Sequence, residues 1–553
     1  MPNSNIDQNP LIKVLHNCKR AIAFNFLFSF FISFFTLATS IYSLQILDRV
    51  LSSSSVETLM MLSLIMLIIY IILGFLQAIR SLILMKIANW LDQKLSPILL
   101  NMAICGDNKN AGSQDLRDLN NIKSFITSNA ASNLFDAPFV IIYFIVIFII
   151  HYINGFIALT GAIILFFLAF LNDKLTRKKL TKAQSVNIIA MQKIDALSQN
   201  FQSIKSMAMS DNLLNSWQKI NNQVTRNDNQ AFHTSTIINS ITKSIRLLIQ
   251  MITMAVAALL VISNQMSAGG IIAISILTSK ALAPFDALIS IYRSLVNCQK
   301  SLGRINQKLQ NNYRQDKKIK FGQIQADLGI EKLSYKHPQA EKLIIKNINI
   351  KIRQGQIIAV IGKSGSGKTT LIQLIAGIIK PSKGLIRIGG WNINDLELKQ
   401  LGKYIGFLPQ NIQLFDDSVK NNIARMDQKA SDQQVIKAAK LANVHDIILK
   451  FDQGYQTNCH KLSFGQKQRV ALARAFYGDV KLVILDEPNS NLDVNGNNAL
   501  INCLITAKKQ NITVIIVSHR PEILSTTDKT LVIHQGEAKL FDDTQIVLKK
   551  LQQ

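Results

Sequence analysis

The chain is poor in cysteine and in acidic residues, and each shortage excludes something. Its five cysteines, Cys18, Cys105, Cys298, Cys459 and Cys503, lie far apart and form no CxxC pair. That spacing argues against a disulfide framework or a zinc site and fits reduced thiols in a bacterial type of cytosol or membrane. Acidic residues number 34 against 61 lysines and arginines, a formal net charge of +27. Such an excess points to nucleic acid, an anionic membrane surface or anionic substrates. No RNA- or DNA-binding motif is present and the basic residues are not interleaved with aromatics, so nucleic acid is not expected as a partner. A cleavable leader is not expected either. Lys13, Lys19 and Arg20 precede the first apolar run as in a signal peptide, but that run is too long and no A-x-A site closes it.

What the chain has in abundance is apolar sequence, 48% of 553 residues. That length exceeds one compact core, so two or more domains are expected. Six runs approach or exceed the roughly 20 apolar residues that span a bilayer as a helix. They cover residues 21–47, 58–79, 135–151, 155–171, 247–263 and 269–292. The third and fourth are joined by the tight turn HYING and form a helical hairpin. Lysines and arginines crowd the loop after the second run, from Arg80 to Lys123, and the loop after the fourth, from Lys174 to Lys243. The opposite loops, LDRVLSSSSVE, HYING and NQMSA, offer only Arg49. The positive-inside rule therefore puts both termini in the cytosol and accounts for much of the charge. Both long loops have a helical pattern, so the membrane helices are expected to run on into the cytosol and turn back. Segments such as DLRDLNNIKSFI are expected to lie across a partner domain.

The expected organisation is a short cytosolic segment at 1–20, an α-helical six-span transmembrane domain at 21–300, a linker at 301–320 and a second domain at 321–553. The linker is read from its polar, charged composition. Beyond it, apolar β-type runs alternate with helical patterns, which predicts an α/β domain with a mostly parallel sheet. Lys280 and Asp286 fall inside the last span beside Pro284. They face either a pathway or a structural partner, and the structural pair is favoured. Asp48 and Arg49 fall at the outer end of the first span, as an adaptor contact or a solvated turn.

The run QIIAVIGKSGSGKTTLIQLIAG reads as strand, glycine loop and helix. Its G-x-x-x-x-G-K-T core is Gly362, Lys363, Ser364, Gly365, Ser366, Gly367, Lys368 and Thr369, followed by Thr370. Glycines let main-chain N–H groups wrap phosphates, and the helix N-terminus adds its dipole. Lys368 supplies a point charge for the β and γ phosphates of ATP, and Thr369 a hydroxyl for Mg²⁺. The run VKLVILDEP then ends a buried strand in two carboxylates. Asp486 is placed to hold Mg²⁺ through water, and Glu487 to polarise the attacking water as general base.

These residues and their order resemble the ATP-binding cassette (ABC) transporters over the whole chain. The resemblance implies ATP hydrolysis coupled to transport, with further roles residue by residue. Gln410 in FLPQ resembles the Q-loop glutamine that senses Mg²⁺. Asp493 in NSNLD resembles the D-loop residue that reaches across a dimer. His519 in VSHR resembles the switch histidine on the γ-phosphate. Ser463, Phe464, Gly465 and Gln466 resemble the signature that closes over the partner's ATP. Two positions depart from the pattern. The adenine-stacking tyrosine is expected about 31 residues before the loop lysine, which gives His337, with Tyr335 two residues earlier; His337 takes the role, or else Tyr335 or neither does. Phe464 replaces a glycine, so the backbone there must avoid positive φ or accept strain. One loop and one signature per chain imply a homodimer.

The stretches SIYSLQILDRVLSSSSVETL, LFDAPFV, SMAMSDNLLNSW and ALAPFDALI resemble type I secretion ATPases of the alkaline protease exporter kind. That implies a bacterial inner-membrane permease moving a polypeptide cargo with a C-terminal signal. It implies a periplasmic adaptor (membrane fusion protein) and an outer-membrane tunnel protein as partners. About 20 residues precede the first span, so the peptidase-like domain of haemolysin-type relatives is not expected. The rival readings are a stand-alone exporter of lipid, drug or small peptide, and an ATP-binding regulator with little hydrolysis.

Overall fold

A computed structural model of the chain describes residues 16–105, 111–313, 326–337, 340–490 and 494–552. The chain divides into two units, Met1–Gln315 and Asp316–Gln553.

The first unit is helical. Its principal helices are α1 (Lys19–Gln45), α2 (Val56–Cys105), α3 (Ala111–Thr127), α4 (Asn129–Asp136), α5 (Val140–Ile150), α6 (Tyr152–Gln199), α7 (Ser210–Ile262) and α8 (Ala268–Tyr313). Six helical stretches are long and apolar enough to cross a membrane, as the sequence predicts. At 50 residues α2 is about 75 Å long, more than twice a hydrocarbon core. Helices α6, α7 and α8 are comparable, so the spans do continue far beyond a bilayer. His151 makes the tight turn between α5 and α6, its Nδ1 accepting from the Ile153 N–H at 3.3 Å.

The composition read residues 301–320 as a linker. The structure corrects this for 301–313, which continue α8. Ile305 and Leu309 lie one turn apart, fully buried, and pack with Leu91, Leu95 and Leu99 of α2 and Leu119 and Ile122 of α3. A polar segment holds a helix when its few apolar residues share one face. The apolar face of α3 is thus used within its own unit. Its acidic residues add ion pairs. Asp118 accepts from Arg304 Nε at 2.7 Å and Nη2 at 2.5 Å, and Asp115 pairs with Lys308.

The charges flagged in the last span separate. Asp286 of α8 pairs with Arg246 of α7 at 3.0 Å, a structural pair, whereas Lys280 is exposed. Asp48 is not an unpaired group in a solvated turn. A π-helical turn at Ile46–Val50 carries it, and its carboxylate accepts from Ser267 Oγ at 2.5 Å and the Gly269 N–H at 2.7 Å. It therefore caps the start of α8. A further buried tie joins Arg80 of α2 to Asp136 at 2.5 Å and to Ser29 Oγ at 3.2 Å.

The second unit is α/β. Its strands are β1 (Leu328–Lys336), β2 (Leu343–Ile352), β3 (Ile357–Ile361), β4 (Lys383–Ile388), β5 (Trp391–Asn392), β6 (Ile405–Leu408), β7 (Leu482–Asp486), β8 (Thr513–Val517), β9 (Lys529–His534) and β10 (Glu537–Asp543). One sheet has the order β10-β9-β3-β8-β7-β6, parallel except at the β10 edge. The other, β2-β1-β4-β5, is antiparallel. Strands β3, β7 and β8 are buried along their whole length, as near-continuous Val, Ile and Leu runs require in a sheet covered on both faces. Helices α9 (Lys368–Ile375), α10 (Phe464–Ala475), α11 (Val494–Lys509) and α12 (Thr544–Gln552) belong to the same unit.

Candidate active site

Strands β3 and β7 end side by side in the sheet with only β8 between them. This brings the glycine loop and the paired carboxylates to one edge, the usual place for a ligand in an open parallel sheet. The loop runs from Gly362 to Gly367 and opens directly into α9. Gly367 has φ 102°, a left-handed conformation that a side chain disfavours, and a Cβ there would lie 2.9 Å from Ile345 Cδ1. Lys363, Ser364 and Gly365 are exposed, whereas Ser366 and Lys368 are buried. Lys368 Nζ donates to Gly362 O at 2.7 Å and Lys363 O at 3.1 Å, so the ammonium sits under its own loop. Thr369 and Thr370 follow, half-buried, on the first turn of α9.

Asp486 ends β7 and is only 2% exposed. Burial raises its carboxyl above the usual range. The Thr369 hydroxyl and the Lys368 charge pull it back, and the Glu487 charge raises it. Its Oδ1 is buried without a hydrogen-bond partner. An orphaned carboxylate oxygen beside a threonine hydroxyl is a fit for a hard cation such as Mg²⁺. Glu487 takes φ 49°, left-handed for a residue that rarely adopts it. Its N–H still donates to Val517 O at 3.2 Å, and its Oε2 accepts from Gln410 Nε2 at 3.0 Å. Backbone strain of this kind costs about 1–3 kcal/mol and is kept where the surroundings over-determine it. His519 is exposed in the loop after β8. Before it, Ser518 Oγ donates to Asn489 Oδ1 at 3.2 Å, which ties that loop to the segment after Glu487.

The signature forms the start of α10. Ser463 is the N-cap: its Oγ accepts from the Gln466 N–H at 3.4 Å, and its own N–H donates to Gln466 Oε1 at 2.9 Å. This is a reciprocal capping box. Phe464 occupies the first helical position with negative φ and its side chain is 52% exposed. A glycine is therefore not required there, and the strain considered for that position does not arise. Gly465 lies on the first turn, half-buried. Asp493 lies outside the described residues. Tyr335 is half-buried against the core of the second unit, and His337 is exposed just past the end of β1.

Sequence reasoning missed three contacts. Gln468, buried on α10, donates from Nε2 to Pro488 O, the residue after Glu487. Glu487 meets Gln410 across 77 positions. Arg425 buries its guanidinium among main-chain carbonyls. The second glutamine of GQKQR was a signal for the first; main-chain partners leave none for the last.

A glycine loop and a carboxylate pair on a parallel sheet, in a chain with six apolar spans, define an ATP-driven membrane transporter. The chain belongs to the ABC transporter family. Residues 345–490 match the ABC transporter domain, and residues 22–284 match the ABC transporter transmembrane region. It is 34% identical over 551 residues to the type I secretion system ATP-binding protein PrsD of Rhizobium meliloti (strain 1021), covering 97% of this chain and 93% of PrsD. It is 27% identical over 530 residues to the leukotoxin translocation ATP-binding protein LktB of Bibersteinia trehalosi, covering 92% of this chain and 73% of LktB. The fold is similar to a bacterial Atm1-family ABC exporter solved with ATP bound, with a TM-score of 0.83, 18% identity and 96% of each chain covered. The chain is thus a multi-pass membrane protein with an ABC ATPase domain.

Proposed function

We propose that the chain is the ATP-hydrolysing permease of a type I protein secretion system, which exports a polypeptide carrying a C-terminal signal. The observation that carries this reading is the similarity to PrsD along 97% of the chain, membrane unit included. ATP chemistry alone names no cargo. By the same reading the chain sits in a bacterial inner membrane with the ATPase unit and both termini cytosolic. It works as a homodimer with a periplasmic adaptor and an outer-membrane tunnel.

The site geometry supports hydrolysis. Lys368 exchanges the loop carbonyls for β- and γ-phosphate oxygens, while the loop N–H groups take the remaining charge. Thr369, Gln410 and Asp486 would hold Mg²⁺, which neutralises phosphate charge when bound. Glu487 polarises the attacking water, and its bond to Gln410 fixes the carboxylate. His519 contacts the γ-phosphate. Either His337 or the half-buried Tyr335 stacks on adenine. Ser463, Gly465 and Gln466 complete the partner's site, and Asp493 reaches across the dimer.

Cross-linking in native membranes, followed by capture of a tagged chain and mass spectrometry, tests the secretion reading. The expected result is an adaptor and an outer-membrane tunnel with the captured dimer. An active dimer captured repeatedly without either would overturn it in favour of stand-alone export.

A further inference from the structure

The two ends of α10 face different tasks. Its start carries Ser463 and Gly465, which in the proposed dimer close on the partner's nucleotide. Its last turn leaves carbonyls without helical partners, as every helix does. Two carbonyls of that turn, Arg474 O and Ala475 O, accept from Arg425, at 3.0 Å from Nε and 3.1 Å from Nη2. The same guanidinium points Nη1 at Ile405 O, 3.2 Å away, and at Gly402 O, 2.5 Å away. Ile405 begins β6, and the chain leaves β6 at Leu408, two residues before Gln410. One side chain thus bridges the end of the signature helix and the root of the strand that delivers Gln410.

A cation at a helix C-terminus is favoured by the helix dipole. All four partners are main-chain carbonyls, and burial with the neighbouring Arg474 charge lowers the Arg425 pKa to about 10. It remains charged at neutral pH. Arg425 and the next residue, Met426, hold φ values of 55° and 61°. Two successive left-handed non-glycine residues persist only where the surroundings impose them.

Two independent contacts mark the same junction. A Cβ on Gly406 of β6 would overlap the Ala475 carbonyl, so strand and helix end touch through bare backbone. The Arg474 side chain reaches the other way, donating from Nη2 to Gln413 O at 3.2 Å, three residues past Gln410.

We propose that Arg425, with Gly406 and Arg474, is a positioning joint that locks the signature helix to the strand and loop carrying Gln410. It passes the phosphate state of the chain's own site to the signature presented to the partner's site. The proposal rests on the homodimer reading above. Gln410 already touches Glu487, so a shift of Gln410 on nucleotide binding moves β6. The carbonyl clamp then moves the end of α10, and the rigid helix carries the displacement to Ser463.

The test is ATP hydrolysis by the full-length chain in lipid nanodiscs, as a function of ATP concentration. The wild type is expected to give a Hill coefficient above 1, with a ceiling of about 2 for two sites. Arg425→Lys keeps the charge but not the fork. It is expected to lower kcat about tenfold, as small misplacements of catalytic groups do, with KM unchanged and the Hill coefficient close to 1. Gly406→Ala is expected to act in the same direction by wedging strand from helix. A merely structural role would lower the melting temperature and leave the Hill coefficient and kcat per folded molecule alone; that result for both variants would overturn the proposal. A wild type that turns over ATP as a monomer would overturn the dimer reading and the joint with it. That outcome is read in the wild type alone, so it is distinguishable from failure of the joint.

Discussion

The two units are built inside out relative to each other. In the ATPase unit, strands β3, β7 and β8 are apolar and wholly buried. In the membrane unit, only 6% of the apolar stretch of α2 is buried, and Leu64, Leu67, Ile71 and Phe75 are exposed. Its buried residues include Asn25, Ser29, Ser33, Ser40, Arg80 and Thr253. The difference follows from the solvent. Water drives apolar side chains inward, whereas lipid tails accept them outside, so helix association there rests on close packing and polar contacts. Apolar sequence therefore marks the core of the ATPase unit, whereas in the membrane unit it supplies both the packed clusters and much of the exposed surface.

Five substitutions break or sharpen that contrast, from largest effect to smallest. Glu487→Gln is expected to lower turnover about 10²- to 10⁴-fold with ATP binding retained, since it removes the proposed general base without opening the fold. Steady-state hydrolysis and nucleotide binding check it, and unchanged turnover would sink the catalytic reading. In the membrane unit, Arg80→Met leaves the Asp136 carboxylate without its partner and is expected to cost about 3–5 kcal/mol, read by thermal melting in detergent. Leu485→Ala in β7 is expected to cost about 2–5 kcal/mol by the same measurement, since it opens a cavity in a close-packed core. Ser463→Ala removes the capping box and is expected to cost about 1 kcal/mol. Leu67→Ala, the same chemical change as at Leu485 but on an exposed membrane helix, is expected to shift stability by less than about 0.5 kcal/mol. A Leu67 effect equal to that at Leu485 would mean that the face is covered in the assembled transporter.

Much of the site was legible because its chemistry is local. Gly362 to Thr369 are contiguous, and Asp486 and Glu487 are adjacent, so strand, loop and helix patterns placed them without a structure. The structure adds a capping box between the serine and glutamine of SFGQ, residues only three apart. At Phe464 the sequence left two outcomes open, a backbone without positive φ or a strained one, and the structure takes the first, since the residue sits in helical backbone. Residues 301–313 misled because two buried aliphatics, Ile305 and Leu309, are too few to dominate a polar composition. The left-handed backbone of Glu487 was illegible, since nothing in a glutamate announces a conformation that its surroundings impose.

By itself the sequence determined the six spans, the parallel sheet and the phosphate loop, because each depends on short-range pattern: apolar length, strand alternation and glycine spacing. Only the tertiary structure decided which charges meet. Asp48 with Ser267, Asp286 with Arg246, Gln410 with Glu487 and Arg425 with Ala475 join positions 40 to 219 residues apart. Such pairings arise when packed helices and strands bring distant groups within hydrogen-bond reach, and that geometry is a property of the folded chain alone.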